Sequence, residues 1–167
     1  MLEIIKHPNT ILAEKMPDFD FENPIMDPKE LEKQLIETMF ANRAVGLAAN
    51  QVGIKARVFV MGHSSSPETA QAFFNPIIEK HTEDLYDMEE GCLSFPGIYV
   101  KLKRPKKIQV TYQNSSGETK TEILEDMNAK CFLHEFDHLE GITFKDRISS
   151  LKWAMAVKKS TPKRKYK

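Results

Sequence analysis

The stretch Cys131-Phe132-Leu133-His134-Glu135-Phe136-Asp137-His138-Leu139-Glu140-Gly141 constrains this chain more than any other. Asp126, Met127 and Asn128 upstream are helix starters and Gly141 is a helix stop, so the H-E-x-x-H at 134–138 is predicted to lie on a short helix. Side chains four residues apart stand one above the other on a helix face, so His134 and His138 direct two imidazoles at one point with Glu135 beside them. That arrangement suits a metal ion and a carboxylate next to whatever water the metal holds. Two ordinary explanations compete. Coincidence would produce the motif in roughly one shuffled chain in a hundred, and a buried helix can use histidines simply as hydrogen-bonding groups.

The third ligand decides between them. Metalloproteases with this motif take it downstream, from a histidine six residues on or a glutamate of a following helix. Here the histidine position is Phe144, no histidine follows His138, and Glu140 and Asp146 lie too near the helix end to wrap back. Cys131 shares a helix face with the two histidines, but about 10 Å of helix rise separates 131 from 138, against metal–ligand bonds of about 2 Å. Cys131 therefore reads as an apolar wall beside the site. The third ligand is expected upstream, from the only other cysteine.

That cysteine lies in Glu89-Glu90-Gly91-Cys92-Leu93-Ser94-Phe95-Pro96-Gly97. A cysteine between glycine and a Ser-x-Pro-Gly turn is expected on irregular backbone, where a thiolate can be presented to a ligand. Alone it would read as a structural cysteine; with the helix it completes a Cys92-His134-His138 set with one position open, the pattern of a catalytic site. Cys-His-His suits both zinc and iron.

A chain of 167 residues, 41% hydrophobic, is enough for one domain with a core. Lys+Arg and Asp+Glu are equal at 24 each, so no global charge favours DNA or membrane, and two cysteines make no disulfide framework. No apolar run is long enough to cross a bilayer and the start lacks a signal-peptide core, which makes a reducing cytoplasm the default expectation.

In chain order, the prolines of residues 1–26 predict an extended arm wrapped on the domain, with His7 in a proline turn. Asp27-Pro28-Lys29-Glu30 announces a helix from Pro28 to about Asn42, with Leu31, Leu35 and Met39 on its apolar face. The run from Ala44 to Gly53 suits a backbone that must approach something closely. Strands are expected at 57–61, 72–80 (bent at Asn75-Pro76), 98–102, 107–113 and 119–124, with a polar loop at 62–67 and a hairpin turn at 114–117. His63 and His81 read as surface residues. Arg104, placed between strands, is a candidate partner for Asp137 or a solvated arginine. An amphipathic segment follows from about Ser149 to Lys159, and residues 158–167 carry six positive charges and no negative one, a tail expected to be a flexible end or a contact for phosphate backbone.

Three stretches together resemble the peptide deformylases. The family's motif G-Φ-G-x-A-A-x-Q appears as Ala44-Val45-Gly46-Leu47-Ala48-Ala49-Asn50-Gln51, E-G-C-L-S as Glu90 to Ser94 unchanged, and Q-H-E-x-D-H as Leu133 to His138. Ala44 and Leu133 depart from it, in positions that touch local packing around the first motif and the surroundings of the ligands. The resemblance implies an α+β fold with antiparallel sheets packed around a central metal-binding helix. It implies a catalytic domain over 1–157 that removes the formyl group from N-formylmethionyl nascent peptides. Glu135 is then the acid–base group, Gln51 and the Leu93 N–H stabilise the oxyanion, and Val45, Gly46, Met127, Lys130, Cys131 and His134 surround the methionine side chain, Lys130 by its stem. The implied metal is ferrous iron at Cys92, His134 and His138, with nickel or cobalt as substitutes. The competing readings are an H-E-x-x-H zinc peptidase and a non-catalytic metal- or ribosome-binding module.

Overall fold

Alternating apolar side chains build most of the sheet. In the computed structural model, which describes residues 1–161, β1 (Gly46–Ala48), β2 (Val58–His63), β3 (Ser66–His81), β6 (Lys107–Gln113) and β7 (Thr119–Glu125) form one antiparallel sheet in the order β1-β2-β3-β6-β7. Ile108, Val110 and Tyr112 of β6 point inward at every second position. Between β1 and β7 the helix α2 (Asp126–Leu139) lies on this face. Its Phe132 stands edge-on to Phe59 and Phe73, with centroids at 5.0 and 5.5 Å. Each such buried ring or Leu contributes about 1.5–3 kcal/mol of transfer free energy.

The helix α1 (Pro28–Ala41) begins as its sequence announces: the Asp27 side chain accepts from the Glu30 N–H at 2.9 Å, and Pro28 occupies the first turn. Leu31, Leu35 and Met39 are fully buried against β1, β2 and β3. The N-terminal arm is extended apart from one short turn at Thr10–Ala13. It is tied across the domain by backbone hydrogen bonds from Ile5 to Gln51, His7 to Ser94, and Met16 to Leu139, of 2.7, 2.9 and 2.8 Å. Gly141 ends α2 with a φ of +71°, and a Cβ there would stand 2.7 Å from the Ala13 carbonyl oxygen, so the helix end and the arm pack backbone to backbone.

Three expectations are corrected. The segment before Cys92 is a strand, β4 (Leu85–Cys92), paired with β5 (Phe95–Pro105) in a separate two-stranded sheet, so the irregular backbone expected around Cys92 narrows to a register shift between Gly91 and Cys92 just before a tight hairpin turn. The alternation is invisible in Leu-Tyr-Asp-Met-Glu-Glu-Gly-Cys because only Glu90 of the strand is buried. Arg104 lies within β5 rather than between strands, and of its two readings the partner of Asp137 holds: it is buried and donates to that carboxylate at 3.0 Å. The polar loop at 62–67 shrinks to a hairpin, because backbone pairing continues to His63↔Ser66 beyond the last apolar pair. The bend at Asn75-Pro76 is present as a register shift between Phe74 and Ile77. Asn75 there has a φ of +48° and exchanges hydrogen bonds with the Phe19 backbone.

The helix α3 (Ser150–Ser160), capped by the Ser149 side chain, packs Trp153 and Ala156 against Phe95 and Phe144. No helix among the described residues is long and apolar enough to cross a membrane. Most of the basic tail, residues 162–167, lies outside the described residues.

Candidate metal centre

Helix α2 is buried on nearly all sides: Ala129, Phe132, Leu133, His134, Glu135, Asp137, His138 and Leu139 are all inside. Its i, i+4 spacing sets the imidazoles of His134 and His138 with centroids 5.0 Å apart. The β4–β5 hairpin brings Cys92 opposite them, and the three side chains place one donor atom each within 4.8 Å of one another. The Cys92 Sγ lies 3.4 Å from the His138 Nε2. Metal–S and metal–N bonds of about 2.3 and 2.05 Å in a tetrahedron imply an S···N edge of about 3.6 Å, so the Cys92–His138 edge fits a divalent cation and the chemistry of the donor set suits one.

The ligand rings are oriented from outside. His134 Nδ1 pairs with Glu90 Oε1 at 2.7 Å, which leaves its Nε2 for the cluster. Glu90 in turn receives the Arg104 Nε and Nη2 at 2.5 and 2.9 Å, Arg104 Nη1 donates to Asp137 at 3.0 Å, and Arg147 donates to Asp137 at 2.7 and 3.0 Å. Burial alone would raise the Glu90 pKa; its hydrogen bonds with His134 and Arg104 hold it at about 2. Burial also works against a charge on His134, but Cys92 and Glu90 outweigh it and its pKa rises well above normal. His138 goes the other way, driven down by burial first and then by His134 and Arg104. Asn50 Nδ2 donates to the His138 carbonyl at 2.8 Å and ties the first motif to the helix.

Glu135 lies beside the cluster, 4% exposed, and its Oε2 has no hydrogen-bond partner among the described residues. Burial is the main cause that lifts its carboxyl to about 7, against a lowering by His134. Gly46 explains why the first motif is so small: a Cβ on it would stand 2.5 Å from Glu135 Oε1. Gln51 is pinned by the Ala48 N–H donating to its Oε1 at 3.0 Å, so its amide group donates to Ser94 Oγ at 3.1 Å and faces Cys92 Sγ at 3.5 Å.

A cavity of about 620 Å³ opens onto these groups. Val45, Gly46, Gln51, Cys92, Leu93, Met127, Lys130, Cys131, His134 and Glu135 all line it, whereas His138 does not. Cys131 Sγ lies 3.5 Å from the Val45 carbonyl, and burial, then Glu135, push its thiol pKa well up. Lys130 turns its Nζ to the Glu89 carbonyl at 2.9 Å. Of the two departures from the family motifs, Leu133 packs into the core between sheet and helix, and the Ala44 N–H closes the end of α1 on the Met39 carbonyl at 3.0 Å. Sequence reasoning assigned no task to Glu90 or Arg147. The only sequence signal for Glu90 was its place two residues before Cys92, since the strand that carries both has no apolar alternation; Arg147 carried no signal.

A mixed fold of helices and antiparallel sheet, with an open three-donor cluster and a buried carboxyl beside it, defines a protein built to hold a metal ion next to an acid–base group. The comparisons with known proteins give that class a family. Residues 1–154 match the family model described as polypeptide deformylase. The chain is similar to the peptide deformylase of Maricaulis maris, 41% identical over 159 residues that cover 94% of this chain and 90% of that one. It is 47% identical to that of Thermotoga petrophila over 127 residues, 76% of each chain. Among solved structures it resembles the peptide deformylase of Thermotoga maritima, with a TM-score of 0.82, 40% identity and coverage of 89% of this chain and 98% of that one. The Legionella pneumophila enzyme gives 0.88 at 30% identity, covering 96% and 93%. The chain belongs to the polypeptide deformylase family.

Proposed function

We propose that this protein is a metal-dependent peptide deformylase, which hydrolyses the formyl amide of N-formylmethionyl nascent peptides to formate and a free amine. The observation that carries the reading is the buried Glu135 carboxyl, with one unpartnered oxygen, set beside the Cys92-His134-His138 cluster at the floor of a cavity wide enough for a methionyl side chain. A divalent cation held by these three side chains on the central helix and hairpin would polarise the reacting oxygens; ferrous iron is our reading, with zinc, nickel or cobalt as workable replacements.

Glu135 takes a proton from the attacking water and returns it to the departing amine nitrogen; a carboxyl raised by burial can both accept and donate near neutral pH. The Gln51 amide, held by Ala48 and aimed past Cys92, and the Leu93 N–H in the hairpin turn donate to the developing oxyanion. Val45, Gly46, Met127, Cys131 and the stem of Lys130 enclose the methionine side chain, with the Lys130 ammonium turned away to Glu89. We assign the catalytic domain to residues 1–157 and read the basic stretch 158–167, whose first three residues form the last turn of α3 and whose last six lie outside the described residues, as a contact for ribosomal RNA in the cytoplasm. The zinc-peptidase alternative lacks a downstream ligand, and the cluster draws its third donor from β4 instead.

The experiment is formate release from a formyl-Met peptide by metal-loaded protein, compared with Glu135→Gln. The variant is expected to retain one metal per chain and lose activity by on the order of 10² or more. A variant that purifies without metal would assign Glu135 to ligation instead. Cleavage of the peptide backbone without formate would point to the peptidase.

A further inference from the structure

We propose that the mouth of the cavity selects formyl-methionyl peptides with acidic side chains just after the methionine, and that Lys6 and Arg43 are the residues that select them. The inference rests on the deformylase reading above.

Five charged residues line the cavity: Lys6, Arg43, Glu90, Lys130 and Glu135. Both carboxylates are buried at its floor, and Glu90 is already engaged by Arg104 and His134. All three charges toward solvent are therefore positive. Lys130 is partly satisfied by the Glu89 carbonyl. Lys6 and Arg43 are exposed and make no ion pair with any acidic group among the described residues.

Their placement is specific. Lys6 lies between two pinned neighbours: Ile5 donates to the Gln51 carbonyl and packs against the core, and His7 donates to the Ser94 carbonyl and stacks on Phe95 at 4.7 Å. The arm thus holds Lys6 on the cavity wall next to the turn that carries Leu93. Arg43 follows Asn42, the C-cap of α1, with a φ of +56°, where glycine is the favoured residue and a side chain adds backbone strain. Both cations belong to the wall made by the arm and the end of α1, which also contributes Ile4 and Asn42. A cation at a helix C-terminus complements the helix dipole, and that accounts for Arg43 by itself. It does not account for Lys6, nor for a rim without an exposed carboxylate.

With the methionine side chain enclosed, the following residues leave the cavity past this rim, at about 3.3 Å of extended chain each. Long, unpaired cations reach a carboxylate on the first or second of them. One exposed charge pair is weak, but exchanging Asp for Lys in the peptide turns two attractions into two repulsions, which amounts to about tenfold in affinity at low salt.

The test uses the metal-loaded full chain and three C-terminally amidated peptides, formyl-Met-Asp-Ala, formyl-Met-Ala-Ala and formyl-Met-Lys-Ala, with formate release measured at about 20 mM and about 500 mM salt. The expected order of kcat/KM is Asp over Ala over Lys, about tenfold from end to end at low salt, carried by KM and shrinking to about twofold at high salt. The double variant Lys6→Glu/Arg43→Glu is expected to invert the order. Arg43→Gly, which installs the residue the backbone prefers, keeps the fold and is expected to reduce the preference. Equal KM for the three peptides, or a preference that survives the double reversal, overturns the inference alone. Formate from none of them overturns the deformylase reading and this inference with it.

Discussion

Glu135 is the residue whose surroundings were shaped most closely. Gly46 leaves room for its carboxyl, and a methyl group there would collide with Oε1, Cδ and Cγ at 2.5–2.9 Å. Gly46→Ala is expected to displace the carboxyl while the fold and the metal are retained, because the clash is with a side chain and not with backbone. A displacement near 1 Å costs on the order of 10² in kcat. Metal content, melting temperature and kcat measured together check this; loss of metal in parallel with activity would place the damage at the cluster. The two cysteines separate in the same way. Cys92→Ala removes one of three donors and is expected to abolish tight metal binding in an anaerobic titration, whereas Cys131→Ala removes a thiol that only lines the cavity and leaves metal binding intact. The reverse pattern would mean that the third ligand is misassigned.

At the level of elements, the site is a meeting of α2, the β4–β5 hairpin and the turn after β1. Arg104 joins the first two: it spans from Glu90, two residues from Cys92, to Asp137 on the helix. Arg104→Ala leaves the buried Glu90 with His134 alone and the buried Asp137 with Arg147 alone, and is expected to cost up to about 3–5 kcal/mol of stability, the usual effect of breaking a buried pair. Because Glu90 also fixes the His134 ring, metal affinity is expected to fall as well, a readout that lost packing alone would not move. Chemical denaturation and metal titration of the variant measure the two effects separately. Arg147 approaches Asp137 from beyond the helix and is 46% exposed in its side chain, so its removal is expected to cost far less.

For the whole molecule, the equal counts of acidic and basic residues hide a charge separation. Six of the 24 basic residues crowd into positions 158–167, after the part of the chain that builds the core. Truncation after Val157 is expected to leave hydrolysis of a short formyl peptide nearly unchanged and to weaken co-sedimentation with ribosomes, most at low salt. Unaltered sedimentation of the truncated form would remove the ribosome contact from the proposed function.

The sequence by itself determined the local elements whose causes are local. The proline and Asp27 cap start α1, the i, i+4 spacing puts His134 and His138 on one face, and the small residues around Gly46 mark a close approach. It also narrowed the third donor to Cys92, since helix rise removes Cys131 and no downstream histidine exists. What it did not contain was β4, because a strand in a two-stranded sheet with one buried residue has no period to read. With β4 missing, Arg104 fell between strands and Glu90 had no task. Only the tertiary structure decided that Glu90, Arg104 and Asp137 form one buried chain of charges, with the half-exposed Arg147 at its end: Glu90 and Arg104 meet when β4 pairs with β5, and Arg104 reaches Asp137, 33 residues on, only when that hairpin has docked on the helix. Side-chain periodicity reports burial along one element, whereas the pairing of charges between elements is settled by how those elements pack.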